Sequence, residues 1–169
     1  MKILAPTVQP LCRPIGRKLS TTLEEVEYRW IGDNGLEYRL IVPNNFIFDG
    51  ASIPRLLWTA TGLAPHGVMD GPALPHDFGY HYQGDFPAGS YQLKSLNGLW
   101  YDCAVPMQRE QLDSLLHALC LHFGIGSYRA GLVWSGVRLG GWWAWLRDDD
   151  KRKLAIFDQV AADIQGETP

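Results

Sequence analysis

Along residues 24–42 apolar and polar side chains alternate in two blocks. Val26, Tyr28 and Trp30 are separated by charged residues, and Leu36, Tyr38, Leu40 and Val42 repeat the pattern. A period of two places each set on one face of a strand. The intervening "GDNG" carries Asn34 and Gly35, both able to take positive φ. This predicts a β-hairpin, residues 24–31 and 36–42, with one buried face. Phe46 and Phe48 continue the alternation into a short strand that ends at the Asp49-Gly50 turn. Pro54 suits the first position of a short helix over 54–60, and 61–71 reads as loop.

Further along, the period changes. Leu112, Leu116, Leu119 and Phe123 recur at helical spacing, with Pro106 near the start and Gly124 able to end the element, which predicts a helix over 107–123. A second helix is expected over 127–146, loosened near Gly140-Gly141, and a last amphipathic one over 151–164 with Leu154, Phe157 and Val160 or Ala161 on one face. A shorter helix is placed at 74–82. Proline inside a helix costs about 3 kcal/mol, so Pro75 is assigned to the first turn. His76 then lies near the positive helix end, which disfavours imidazolium and favours an ionised Asp77. Residues 84–105 read as loops with a second short hairpin.

Strands first and helices after make the expected fold α+β, with an N-terminal β-hairpin or small antiparallel sheet followed by a helical C-terminal half. The organisation is one domain over 1–169. An extended arm (1–22, with Pro6, Pro10 and Pro14) precedes the hairpin and strand (23–50), motif-bearing loops and a short helix (51–105), and the helices (106–165).

Composition narrows the function classes. A 169-residue chain can bury one substantial core. With 46% hydrophobic and 20% charged residues the chain is not a disordered one. A net charge of −3 gives no general pull toward nucleic acid. Cys12, Cys103 and Cys120 lack the spacing of a disulfide framework or zinc site and read as small buried thiols. Pro6 and Pro10 interrupt the N-terminal apolar run, so no signal peptide is read, and no apolar stretch of about 18 residues predicts a membrane span. Synthesis in a cytoplasm is expected, with later delivery inside a virus particle left open.

The chemistry concentrates in "MDGPALPHDFGYHYQ", Met69 to Gln83. A histidine that takes a proton from water needs one bare ring nitrogen and a carboxylate on the other. On a helix Asp77 points about 100° away from His76, so it is badly placed to orient the ring and better placed beside a cation. Asp113, at the edge of the 107–123 apolar stripe, is the candidate orienting carboxylate for His76; its bland reading is a solvated helix residue. Asp49, in "FDGASIPR", could join Asp77 in supplying oxygens to a hard cation such as calcium, or simply close a turn. Trp142, Trp143 and Trp145 suit a membrane interface, the core or a subunit contact. "GIGSY" follows no strand, and neither GxSxG nor HExxH is present.

Two resemblances follow from these residues. "VPNNFIFDGASIPRLLW", "HDFGY", "REQLDSLLHAL" and "SGVRLGGW" together resemble a family of small phage and prophage proteins known only as a domain of unknown function. The matching positions include Asp49 to Pro54, His76, Asp77, Tyr80, Arg109, Asp113, Val137, Arg138 and Gly140. That likeness implies a phage origin and no assigned activity. Asp70 to Tyr80, read as D-x-x-A-x-x-H-D-x-x-Y, is similar to the active-site helix of phospholipase A2. This second likeness implies that His76 activates water, Asp77 binds calcium, Asp113 orients His76, and Tyr80 hydrogen-bonds the dyad. The family's glycine-rich calcium loop has no counterpart at its usual distance before His76, and Pro75 stands where the family's helix is continuous.

The leading expectation is a phage-encoded hydrolase of phospholipase A2 type, acting on phospholipid beside a divalent cation. Its rival is a non-enzymatic virion or tail-assembly protein that contacts phage structural proteins and in which the His/Asp cluster is structural. A cell-wall hydrolase acting on the cell envelope is the third.

Overall fold

The fold is described from a computed structural model covering residues 1–15, 19–48 and 67–146. The described chain is α+β. Its strands are β1 (Lys2–Ala5), β2 (Cys12–Pro14), β3 (Ser20–Thr22), β4 (Val26–Ile31), β5 (Glu37–Val42), β6 (Ile47–Phe48), β7 (Tyr91–Lys94) and β8 (Trp100–Asp102). Its helices are α1 (Asp70–His81), α2 (Arg109–His122) and α3 (Ser127–Leu146). An antiparallel sheet runs β1-β4-β5-β7-β8, and a smaller one runs β2-β3-β6.

The alternating block forms the expected hairpin. Val26 pairs with Val42, Tyr28 with Leu40 and Trp30 with Tyr38. Gly35 takes φ +76°, and its N–H donates to Gly32 O at 3.0 Å. The second hairpin is β7–β8. The 1–22 segment, read as extended, supplies β1, β2 and β3. The helices predicted at 54–60 and 151–164, and the loop over 61–66, lie outside the described residues. Helix α3 runs unbroken through Gly140-Gly141.

Helix α2 sits at the centre. Leu112, Leu115 and Leu119 pack with Tyr28, Leu40, Leu74 and Phe78 in the core under the large sheet. Leu116 and Cys120 belong to a second apolar cluster with Met69, Ala73, Ala130, Val133 and Val137. The Gln111 side chain accepts the Gln108 N–H at the start of α2, and Gly124, at φ +80°, turns the chain at its end.

Helix α1 departs from expectation. It begins at Asp70 rather than near residue 74, so Pro75 is its sixth residue and not part of the first turn. A proline there removes the N–H that would bond the carbonyl four residues back. That carbonyl belongs to Gly71, and the buried Tyr28 hydroxyl donates to it at 2.8 Å. The sheet thus supplies the missing donor and the helix continues. At Gly79 an added Cβ would clash with the Leu112 side chain, so α1 and α2 approach closely just beyond His76.

Candidate functional site

One turn of α1 separates His76 from Tyr80, and their rings lie 4.2 Å apart. Both face Asp113 on α2. His76 Nε2 is 3.0 Å from Asp113 Oδ1, and the Tyr80 hydroxyl donates to the same oxygen at 2.9 Å. Arg138, on α3, donates from one guanidinium nitrogen to Asp113 Oδ2 at 3.3 Å and to Glu110 Oε1 at 3.2 Å. Asp113 is 0% exposed and His76 5%. Asp113 is therefore no solvated helix residue: one buried carboxylate is shared by three helices.

An ionised carboxylate only accepts, so the proton of a neutral His76 belongs on Nε2. That leaves Nδ1 as the bare nitrogen. Nδ1 is buried and has no hydrogen-bond partner among the described residues. Among the described residues Asp77 Oδ1 lies 3.8 Å from Nδ1, beyond hydrogen-bond range.

The electrostatics follow from these contacts. Burial on its own would lower the His76 pKa, but the hydrogen bond to Asp113 and the neighbouring Asp77 outweigh it, and the net shift is upward. Burial pushes Asp113 up, while His76, Tyr80 and Arg138 pull it further down, to below the ordinary carboxylate value. Burial and the Asp113 carboxylate hold the Tyr80 hydroxyl protonated. His76 is the seventh residue of α1, beyond the first turn where the helix dipole acts, so the expected dipole suppression of imidazolium gives way to the two carboxylates.

The structure brings together His76, Asp113 and Tyr80 as expected. Asp77 lies at the margin of the cluster, and Asp49 lies outside the described residues. Among the described residues no group of three or more His, Cys, Asp or Glu side chains could hold a metal ion. Calcium takes roughly six to eight oxygens, so Asp77 does not by itself make a calcium site. The His117 ring lies 6.3 Å from that of Trp134. Trp145 packs edge-on against Tyr80 at 5.1 Å, so this tryptophan backs the cluster. The side chains of Trp142 and Trp143 lie outside the described residues. Among the described residues no helix is long and apolar enough to cross a membrane.

Arg138 and Glu110 are the polar members that sequence reasoning left without a role. Arg138 stood in the quoted "SGVRLGGW", but only the packing of α3 against α2 shows what it reaches. No curated protein and no solved structure matches the chain. Residues 23–137, which hold His76, Tyr80 and Asp113, match the family described as protein of unknown function (DUF1353), and the chain belongs to that family.

Proposed function

We propose that the protein is a hydrolase in which His76 is the general base and Asp113 its orienting carboxylate. One observation carries this reading: Nε2 is engaged by Asp113 at 3.0 Å, while Nδ1 is without a hydrogen-bond partner among the described residues. Engaging Nε2 with a carboxylate makes the lone pair of Nδ1 the ring's proton acceptor, the arrangement a general base needs. Water bound at Nδ1 would give that nitrogen a proton as its oxygen adds to an ester carbonyl carbon. The Nε2–H bond to Asp113 would strengthen as imidazolium forms. Collapse of the tetrahedral adduct would expel the alkoxide, which takes the proton back from Nδ1. Tyr80 would hold Asp113 ionised throughout.

The likeness of Asp70 to Tyr80 to the phospholipase A2 helix supports a phospholipid ester as substrate. α1 is continuous through Pro75, which removes one departure from that likeness. Calcium belongs to the proposal through the likeness alone, with Asp77 and Asp49 as its ligands, and no step above is routed through it. The motif likeness to phage and prophage proteins supports synthesis in a host cytoplasm and association with the virion.

Fatty-acid release from phospholipid vesicles, with calcium and with chelator, tests the reading. Turnover is expected for the wild type, with a loss of about a hundredfold or more in His76→Ala. Absence of turnover by the folded wild type in calcium would rule out the lipase. Release of fragments from purified cell wall in the same series would favour the cell-wall hydrolase.

A second reading has its own observation. Asp113 is fully buried and takes donors from α1 and α3, the arrangement of a structural tie between helices. A virion or tail-assembly protein would use the cluster in this way. It predicts inertness on both substrates, with His76→Ala changing only the melting temperature.

A further inference from the structure

The dyad chemistry leaves Arg138 without a part. Yet this residue comes from a third helix and reaches the one oxygen of Asp113 that His76 and Tyr80 do not use. Both of those donors converge on Oδ1, at 3.0 and 2.9 Å. Two donors on one oxygen leave the carboxylate free to swing about its last torsion. A donor on the other oxygen, fixed to a different element, removes that freedom, and a charged donor does so most strongly. Among the described residues Arg138 is the donor that reaches Oδ2.

The guanidinium is itself anchored. Glu110 Oε1 accepts from the same nitrogen at 3.2 Å, and Arg109 donates to the Arg138 carbonyl at 3.4 Å. Two residues of α2 one turn before Asp113 therefore fix where Arg138 can sit. Arg138 is 30% exposed, so its removal need not open the core.

We infer that Arg138 is a positioning residue of this site: by holding Asp113 Oδ2 it keeps Oδ1 on His76 Nε2, and so keeps Nδ1 as the bare nitrogen. This rests on the reading of His76 as the base. Arg138 touches no reacting atom and acts through Asp113.

The test reads the imidazole proton itself and needs no turnover. In the full-length 15N-labelled protein, the His76 Nε2–H is identified by its loss in His76→Asn, and its exchange with water is measured. In Arg138→Met that exchange is expected to quicken about tenfold or more, the worth of one charge-assisted bond, while Arg138→Lys retains most of the protection. A merely structural role would lower the melting temperature and leave the exchange rate of the folded protein unchanged; that result overturns the inference. Should Arg138→Met fail to fold, Glu110→Ala serves as the second arm, because it removes the anchor of Arg138 at an exposed position. The exchange is expected to quicken there as well, by less than in Arg138→Met, since Asp113 still holds the guanidinium. Unchanged exchange in that variant overturns the inference. A wild type inert on lipid and on cell wall with a protected proton defeats the hydrolase reading only; an equally protected proton in Arg138→Met defeats this one only.

Discussion

Asp113 is ionised at zero exposure, and the three donors that face it offset the cost of burying that charge. Removing the carboxylate leaves those donors facing one another. Asp113→Ala is expected to lose about 3–5 kcal/mol in denaturant unfolding, the cost of breaking a buried ion pair from one side. The pH dependence has a definite sign. His76 has its folded pKa raised, so its contribution is complete below the ordinary 6.5 and is lost as pH rises through the raised value. Asp113 has its folded pKa lowered, so its contribution is complete above the ordinary 3.8 and is lost as pH falls through the lowered value. The stability gap between wild type and a His76→Gln, Asp113→Asn double variant should therefore be widest between those two ordinary values and narrow on either side. A gap that is flat from acid to alkaline pH would contradict the assigned shifts.

At the scale of the element, α1 shows where sequence and structure part. Gly71, Pro72 and Pro75 all weaken helix propensity, so local reasoning starts the helix late. What restores it is Tyr28, 43 positions earlier on β4, whose hydroxyl takes the place of the Pro75 N–H on Gly71 O. No local pattern displays such a partner. Tyr28→Phe should cost about 1–3 kcal/mol, the penalty of a buried unpaired carbonyl. Pro75→Ala in that background supplies an N–H to the same carbonyl and should recover much of the loss. A double-mutant cycle with no coupling between the two positions would show that the hydroxyl does not substitute for the missing bond. The hairpin was readable because its alternation and its turn residues agree, and α2 because its apolar stripe is regular. His76 and Asp113 were readable as a pair because a buried base needs a separate carboxylate and the strongest helix offered one. Strands β1 to β3 were not, since they are short and held by pairing with distant partners. Arg138 had a place in a motif but no visible target until α3 was packed on α2.

For the molecule as a whole, α2 and α3 differ in how they are held. α2 is buried on two sides, against the large sheet and in the cluster shared with α3. α3 contributes Ala130, Val133 and Val137 to that second cluster, while Tyr128, Trp134 and Leu139 are exposed. It also carries Gly131, Gly136, Gly140 and Gly141, each less favourable in a helix than alanine by about 1 kcal/mol. One of them has a reason in the packing: a Cβ on Gly141 would meet the Tyr80 hydroxyl at 2.5 Å, so the helix approaches the dyad only because that position is bare. The region of α3 that touches Tyr80 and Asp113 should accordingly open before the rest. Native-state hydrogen exchange should show amides of α2 from Leu112 to Leu119 opening only with global unfolding, and amides beyond Val137 opening at lower free energy. Gly141→Val should widen the difference, because its side chain displaces the helix from Tyr80 without touching the sheet. Equal opening energies along α2 and α3 would mean that the site helix and the core unfold as one unit, and that the dyad is as rigid as the sheet beneath it.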